Sequence, residues 1–151
     1  MTIQMVEANA AEVNFVQIRD ELIALAEQHI EARMTYKSLK VDAKTDQNIW
    51  QGAENGVALT VCMMKADGLS LEDFINFYNP DTFPDNMKLL DSNITSRKLD
   101  IAMPDNCYAM YQHIKTPIVV SNRCTFAHVH FIDSPDGGKI QLTSSRGMEK
   151  I

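Results

Sequence analysis

No stretch of this 151-residue chain stays apolar long enough to cross a bilayer, which takes about 20 consecutive residues as a helix. The run MTIQMVEANAAEV at the amino terminus has neither the basic start nor the apolar core of a secretory signal, so the expected location is the cytoplasm. Cysteine is scarce, and its spacing shows no pairing. Cys62, Cys107 and Cys124 form no CxxC motif, and three reduced thiols in a reducing compartment are expected rather than a disulfide or a zinc knuckle. Basic residues are outnumbered, 14 Lys and Arg against 20 Asp and Glu. The net charge of −6 leaves no cationic stripe for nucleic acid or for a strongly anionic membrane. There is no Gly-rich phosphate loop, no Ser-His-Asp order and no internal repeat. Glu54, Asp85 and Asp91 do not make an acid–base pair, because nothing in the sequence fixes their separation.

What is present reads as one domain, residues 1–151, with 45% hydrophobic residues and length for a real core. From about Ala10 to Lys40 the spacing of Phe15, Ile18, Leu22, Leu25, Ala26 and Ile30 predicts a long one-sided helix, followed by a loop over Val41 to Asn48. Ile49-Trp50-Gln51 and the run Val57 to Ala66 flank Asn55-Gly56, a hairpin signal because both central residues of a type I′ turn need positive φ. Ser70 and Asp73 predict a capping box for a short helix over Leu71 to Tyr78, with Leu69 stapled onto Phe74, and Asn79-Pro80 ends it. Asp81 to Asp85 reads as a turn, and Asn86 to Leu99 as extended. From Asn106 to about Arg146 an antiparallel meander folds back at Pro135-Asp136-Gly137-Gly138. The order predicts an α+β fold with a curved antiparallel sheet.

Strand alternation divides the meander into two faces. Arg123, Thr125, Ala127, Val129 and Phe131 share one parity, small or apolar beyond the arginine, and are predicted to point inward. Cys124, Phe126, His128, His130 and Ile132 then point outward. In the preceding strand Lys115 should face water, which takes Ala109, Tyr111 and His113 with it and turns Tyr108, Met110, Gln112 and Ile114 inward. The same inward residues would serve equally as plain core. His128 and His130, with His113 from the neighbouring strand, could attract a metal, and Cys124 shares their parity. No convincing fourth ligand accompanies them, so the expectation is no metal and two imidazoles on the wet face of the sheet. Arg123 has two readings, a fork for a phosphate or carboxylate, or a pin for the loop Thr116 to Asn122. Met63, Met64, Met87, Met103 and Met110 would line an adaptable apolar site or fill core.

Tyr111, Lys115, Pro117 and Ser121-Asn122-Arg123, followed by an aromatic-bearing strand, resemble the START family of lipid transfer domains, and within it the phosphatidylcholine transfer protein branch. Asp136-Gly137, Ile140 and Ser144-Ser145 match that family's next turn and strand, and Leu71-Glu72-Asp73-Phe74 its short helix. Pro84-Asp85 to Asp100 looks like its "Trp-Asp" segment, although the tryptophan is absent and Phe83 stands adjacent. Cys124 replaces the family's Asp. The likeness covers roughly Trp50 to Ser145.

The resemblance implies a helix-grip fold, in which a curved sheet wraps a long C-terminal helix and a lipid lies between them. It implies binding and transfer of a phospholipid, fatty acid or sterol, with no catalysis, no cofactor and only transient membrane contact. The driving force would be removal of apolar ligand surface from water, at roughly 25 cal/mol per Å². Tyr108, Met110, Gln112, Ile114, Arg123, Thr125, Ala127, Val129 and Phe131 would line the site. Some sterol-binding relatives carry a charged pair where Met110 and Val129 stand here, which favours an aliphatic ligand portion. The match ends at Ser145, ahead of the family's closing helix. Three explanations stay open: a fragment, a second copy of the chain covering the exposed sheet face, or a fold-back of the N-terminal helix. Self-association is the expectation. The alternatives are a helix-grip enzyme, such as a cyclase or hydrolase on a hydrophobic substrate, and an interaction module that has no pocket.

Overall fold

A computed structural model describes residues 13–42, 47–65, 67–116 and 121–150. The architecture is α+β, with two separate antiparallel sheets. Helix α1 spans Phe15–Ala32 and β1 spans Lys37–Asp42, with a single 3-10 turn between them. Strands β2 (Gln47–Glu54) and β3 (Val57–Met63) follow, then helices α2 (Leu71–Tyr78) and α3 (Phe83–Leu90). Strands β4 (Ile94–Lys98), β5 (Cys107–Ile114), β6 (Arg123–Asp133) and β7 (Lys139–Ser144) complete the order. The chain forms two compact units, Asp20–Leu69 and Met1–Arg19 with Ser70–Ile151. No described helix is long and apolar enough to cross a membrane.

In the unit Asp20–Leu69 the strands run in the order β1-β2-β3. Asn55 (φ 50°) and Gly56 (φ 80°) both take positive φ, and Glu54 pairs with Val57, as a two-residue type I′ hairpin requires. The helical pattern expected to run to Lys40 stops at Ala32 instead. There the Thr35 hydroxyl donates to the Ala32 carbonyl at 2.7 Å, and Tyr36 turns extended. The Tyr36 ring lies over Gly52, where an added Cβ would come within 3.0 Å of it. Lys37 then pairs with Gln51, so residues expected as helix and loop form β1. A His29 ring nitrogen meets the Tyr36 hydroxyl at 2.7 Å, and the other meets Glu54 at 3.1 Å, which ties the helix to the hairpin. The expectation for Ala10 to Glu12 lies outside the described residues.

The other unit holds the sheet β4-β5-β6-β7. The capping box forms: the Asp73 N–H donates to Ser70 Oγ at 3.1 Å, and the Ser70 N–H donates to Asp73 Oδ2 at 2.8 Å. The segment expected as extended from Asn86 begins instead as α3, with Pro84 in the first turn, where it sacrifices no helical hydrogen bond. The Asn86 side-chain amide donates to the Phe77 carbonyl at 2.8 Å and fastens α3 to the end of α2. Met87 and Leu89, two apart, look like strand alternation. Phe83 and Met87, four apart, are the pair that packs inward, while Leu89 is exposed.

Phe83, Tyr108, Met110 and Val129 make the buried cluster, joined by Phe77, Tyr78 and Met87. Tyr78 and Phe83 stack at 5.5 Å between centroids. The opposite face of the same strands is also covered. Ala109, His128 and His130 have no exposure, and Phe15 places its ring 4.9 Å from that of His128. The residues group onto two faces as alternation predicts, but the face expected to be wet is dry. Val13, Phe15 and Ile18 reach Gly147, just past β7, and close that side.

Candidate functional site

The expected ligand face exists as one surface. Tyr108 pairs with Val129, Met110 with Ala127, Gln112 with Thr125 and Ile114 with Arg123, while Phe131 faces Gln141 on β7. Opposed residues of an antiparallel pair share a face, so all nine do. Tyr108, Met110, Ala127 and Val129 are buried; Gln112, Ile114, Thr125 and Phe131 are half-buried; Arg123 is exposed. At the buried end the space above the strands is filled by Phe83 and its neighbours from α2 and α3. Gln112 is used internally, its amide donating to Ser96 Oγ at 3.1 Å. The Tyr108 hydroxyl is buried with no hydrogen-bond partner among the described residues, and burial pushes its pKa up, so it stays protonated. The loop that Arg123 was expected to pin includes residues 117–120, which are outside the described ones; its flank is held by the Thr116 N–H donating to Asn122 Oδ1 at 3.2 Å.

Apolar space is found on the other side of β6. A cavity of about 240 Å³ is lined by Leu99, Ile101, Phe126 and Met148. Phe126 is 53% exposed there, with the Tyr111 ring from the paired strand 5.2 Å away. Arg97 lies over Tyr111 in turn, 5.2 Å from the ring centroid. Sequence reasoning passed over Phe126 because its parity was assigned to solvent. The cross-strand aromatic pair Tyr111–Phe126 was the available signal, legible only once the register is known.

The same side carries a polar cluster that sequence reasoning only half assembled. Cys107 pairs with His130 and Ala109 with His128, so the thiol and both imidazoles share a face. Cys107 Sγ stands 3.6 Å from His130 Nε2, and the two imidazole rings meet edge to face at 5.1 Å. The His128 Nε2–H donates to the Arg146 carbonyl at 3.1 Å. His128 Nδ1 is then the bare nitrogen, buried and without a hydrogen-bond partner among the described residues. Burial holds the His128 pKa below the usual imidazole value, against the pull of the Arg146 carbonyl. Burial also pushes the Cys107 thiol up to about 12, although Arg19 works the other way. A thiol so placed is the reverse of an activated nucleophile. His113 and Cys124, considered as companions of the imidazoles, pair with each other farther along the strands. Cys124 is exposed and meets the Tyr111 hydroxyl at 3.1 Å.

No family model matches the chain, and neither a curated protein nor a solved structure matches it.

Proposed function

We propose that this chain is a non-enzymatic binding protein for an apolar ligand of the lipid class, held on the face of β6 opposite to the one that the START resemblance implies. The observation that carries the reading is the cavity lined by Leu99, Ile101, Phe126 and Met148, four apolar side chains with no charged group among them. Its size limits what it holds. A dry cavity of about 150 Å³ takes up benzene, so about 240 Å³ accommodates a ring or a short acyl stretch. The rest of a phospholipid or sterol would lie along the exposed flank at Phe126. The likeness of Tyr111 to Ser145 to START domains supports the same class, and loading from a bilayer requires brief membrane contact. The high pKa of Cys107 speaks against a thiolate-based enzyme.

A second reading has its own observation. Phe83 packs on Tyr108, Met110 and Val129, where a START-type ligand was expected, and this favours an interaction module without a pocket.

The two separate in a titration of the folded chain with a fluorescent fatty acid and a fluorescent phospholipid, alongside mass spectrometry of solvent extracts. Lipid binding predicts saturable uptake. It also predicts that Phe126→Glu, at an exposed position, weakens uptake by about tenfold or more at unchanged circular dichroism, since one charge in an apolar site costs more than one decade of affinity. No uptake by folded protein would leave the interaction module standing.

A further inference from the structure

We propose that Cys107, His128 and His130 form a binding site for one Zn²⁺ ion, with three protein ligands and a fourth position left for water or another donor. The site is separate from the apolar cavity, and the proposal does not rest on the lipid reading.

The argument begins with the backbone. Cys107 on β5 stands directly opposite His130 on β6, and His128 lies two residues along the same face. Strand pairing holds the three side chains together without any loop, in the middle of a four-stranded sheet. One ligand atom from each residue lies within 4.8 Å of the other two. The Sγ to Nε2 separation of 3.6 Å is close to the edge of a tetrahedron around zinc, about 3.5 Å for Zn–S near 2.3 Å and Zn–N near 2.0 Å. The other two separations, neither above 4.8 Å, have to shorten toward that edge as the ion binds.

The chemistry of the donors fits as well. His128 spends its Nε2–H on the Arg146 carbonyl, which fixes the tautomer and leaves the Nδ1 lone pair bare. A metal-bound imidazole is oriented in this way, by a carbonyl on the far nitrogen. Phe15 packs against the same ring, which has no exposure to bulk solvent. Simple burial of two histidines would leave that nitrogen unsatisfied, while a cation beside it satisfies it. One sulfur and two imidazole nitrogens with no carboxylate exclude calcium and magnesium and suit a borderline cation. On binding, the Cys107 S–H proton leaves for solvent as the Zn–S bond forms. The neutral imidazoles give up no proton, and the bound ion keeps one net positive charge.

The test uses the full chain, stripped with a chelator under reducing conditions and titrated with Co²⁺ as a spectroscopic stand-in. The expected result is a thiolate-to-cobalt charge-transfer band with tetrahedral d–d bands, saturating at one ion per chain and lost on adding Zn²⁺. Cys107→Ser should lose the charge-transfer band, and Cys124→Ser, at an exposed thiol, should keep it. A readout that needs no variant covers the case in which Cys107→Ser does not fold. At a urea concentration that half-unfolds the metal-free chain, where Cys107 becomes reactive, Zn²⁺ should protect Cys107 from alkylation, mapped by peptide mass, and leave Cys62 and Cys124, exposed in the fold already, reactive. A charge-transfer band that survives Cys107→Ser, the absence of any such band in the native chain, or unchanged Cys107 alkylation under saturating Zn²⁺ would each overturn the site.

Discussion

His128 shows how one residue couples burial to pH. It has no exposure, and its pKa lies below the usual value, so the folded chain resists a proton that the unfolded chain accepts near pH 6.5. The unfolded state therefore binds more protons as pH falls below about 6.5, and stability drops there while staying flat above. His130, Cys107 and Arg19 lie on this face of the sheet, and carboxylates titrate lower still, so the window belongs to His128. With chelator present, urea midpoints should decline between about pH 7 and about pH 5.5, and His128→Gln should flatten that decline. Gly147 gives a second prediction. Its φ is +87°, and an added Cβ would lie 2.8 Å from Val13 and 3.1 Å from Ile18. Gly147→Ala should cost about 1–3 kcal/mol in denaturant unfolding, through backbone strain and overpacking together. Of these residue-scale facts the sequence disclosed the parity of His128 and His130, since alternation is local. It did not disclose their dryness, because that depends on Phe15 arriving from more than a hundred positions away.

Among the elements, those announced by local chemistry are where they were expected. Asn55-Gly56 makes the tight hairpin, and Ser70 with Asp73 starts α2. Ser70→Ala should lower stability by about 1 kcal/mol, read as a shifted urea midpoint with unchanged slope. It should also raise the pKa of the exposed Asp73 carboxyl, now held low by its hydrogen bonds to Ser70, as nuclear magnetic resonance titration would detect. The elements that were misread are those decided by contacts at a distance. Lys37 to Lys40 carry an acceptable helical sequence but become β1, because Tyr36 seats on Gly52 and β2 offers an edge. Asn86 to Leu90 look like a strand but coil into α3, because Phe83 and Met87 have an aromatic cluster to enter.

For the whole molecule, the α+β order and the shared face of the nine expected residues follow from pattern alone, as does the meander β5-β6-β7. What covers each face does not. The side expected to hold a ligand is closed by Phe83, and the side expected to be wet holds the cavity, the thiol and the imidazoles. Phe83 is 4% exposed at the centre of its cluster, so Phe83→Ala should destabilise its unit by about 3–5 kcal/mol, visible as faster amide exchange across β5 and β6.

The direct opposition of Cys107 and His130 makes this sheet sensitive to alignment. Sliding β5 by a single position along β6 would swing the sulfur over to the aromatic side and bring Tyr108 among the imidazoles. Thiol reactivity thus becomes a gauge of strand alignment, able to tell a correctly threaded molecule from a compact but mispaired one.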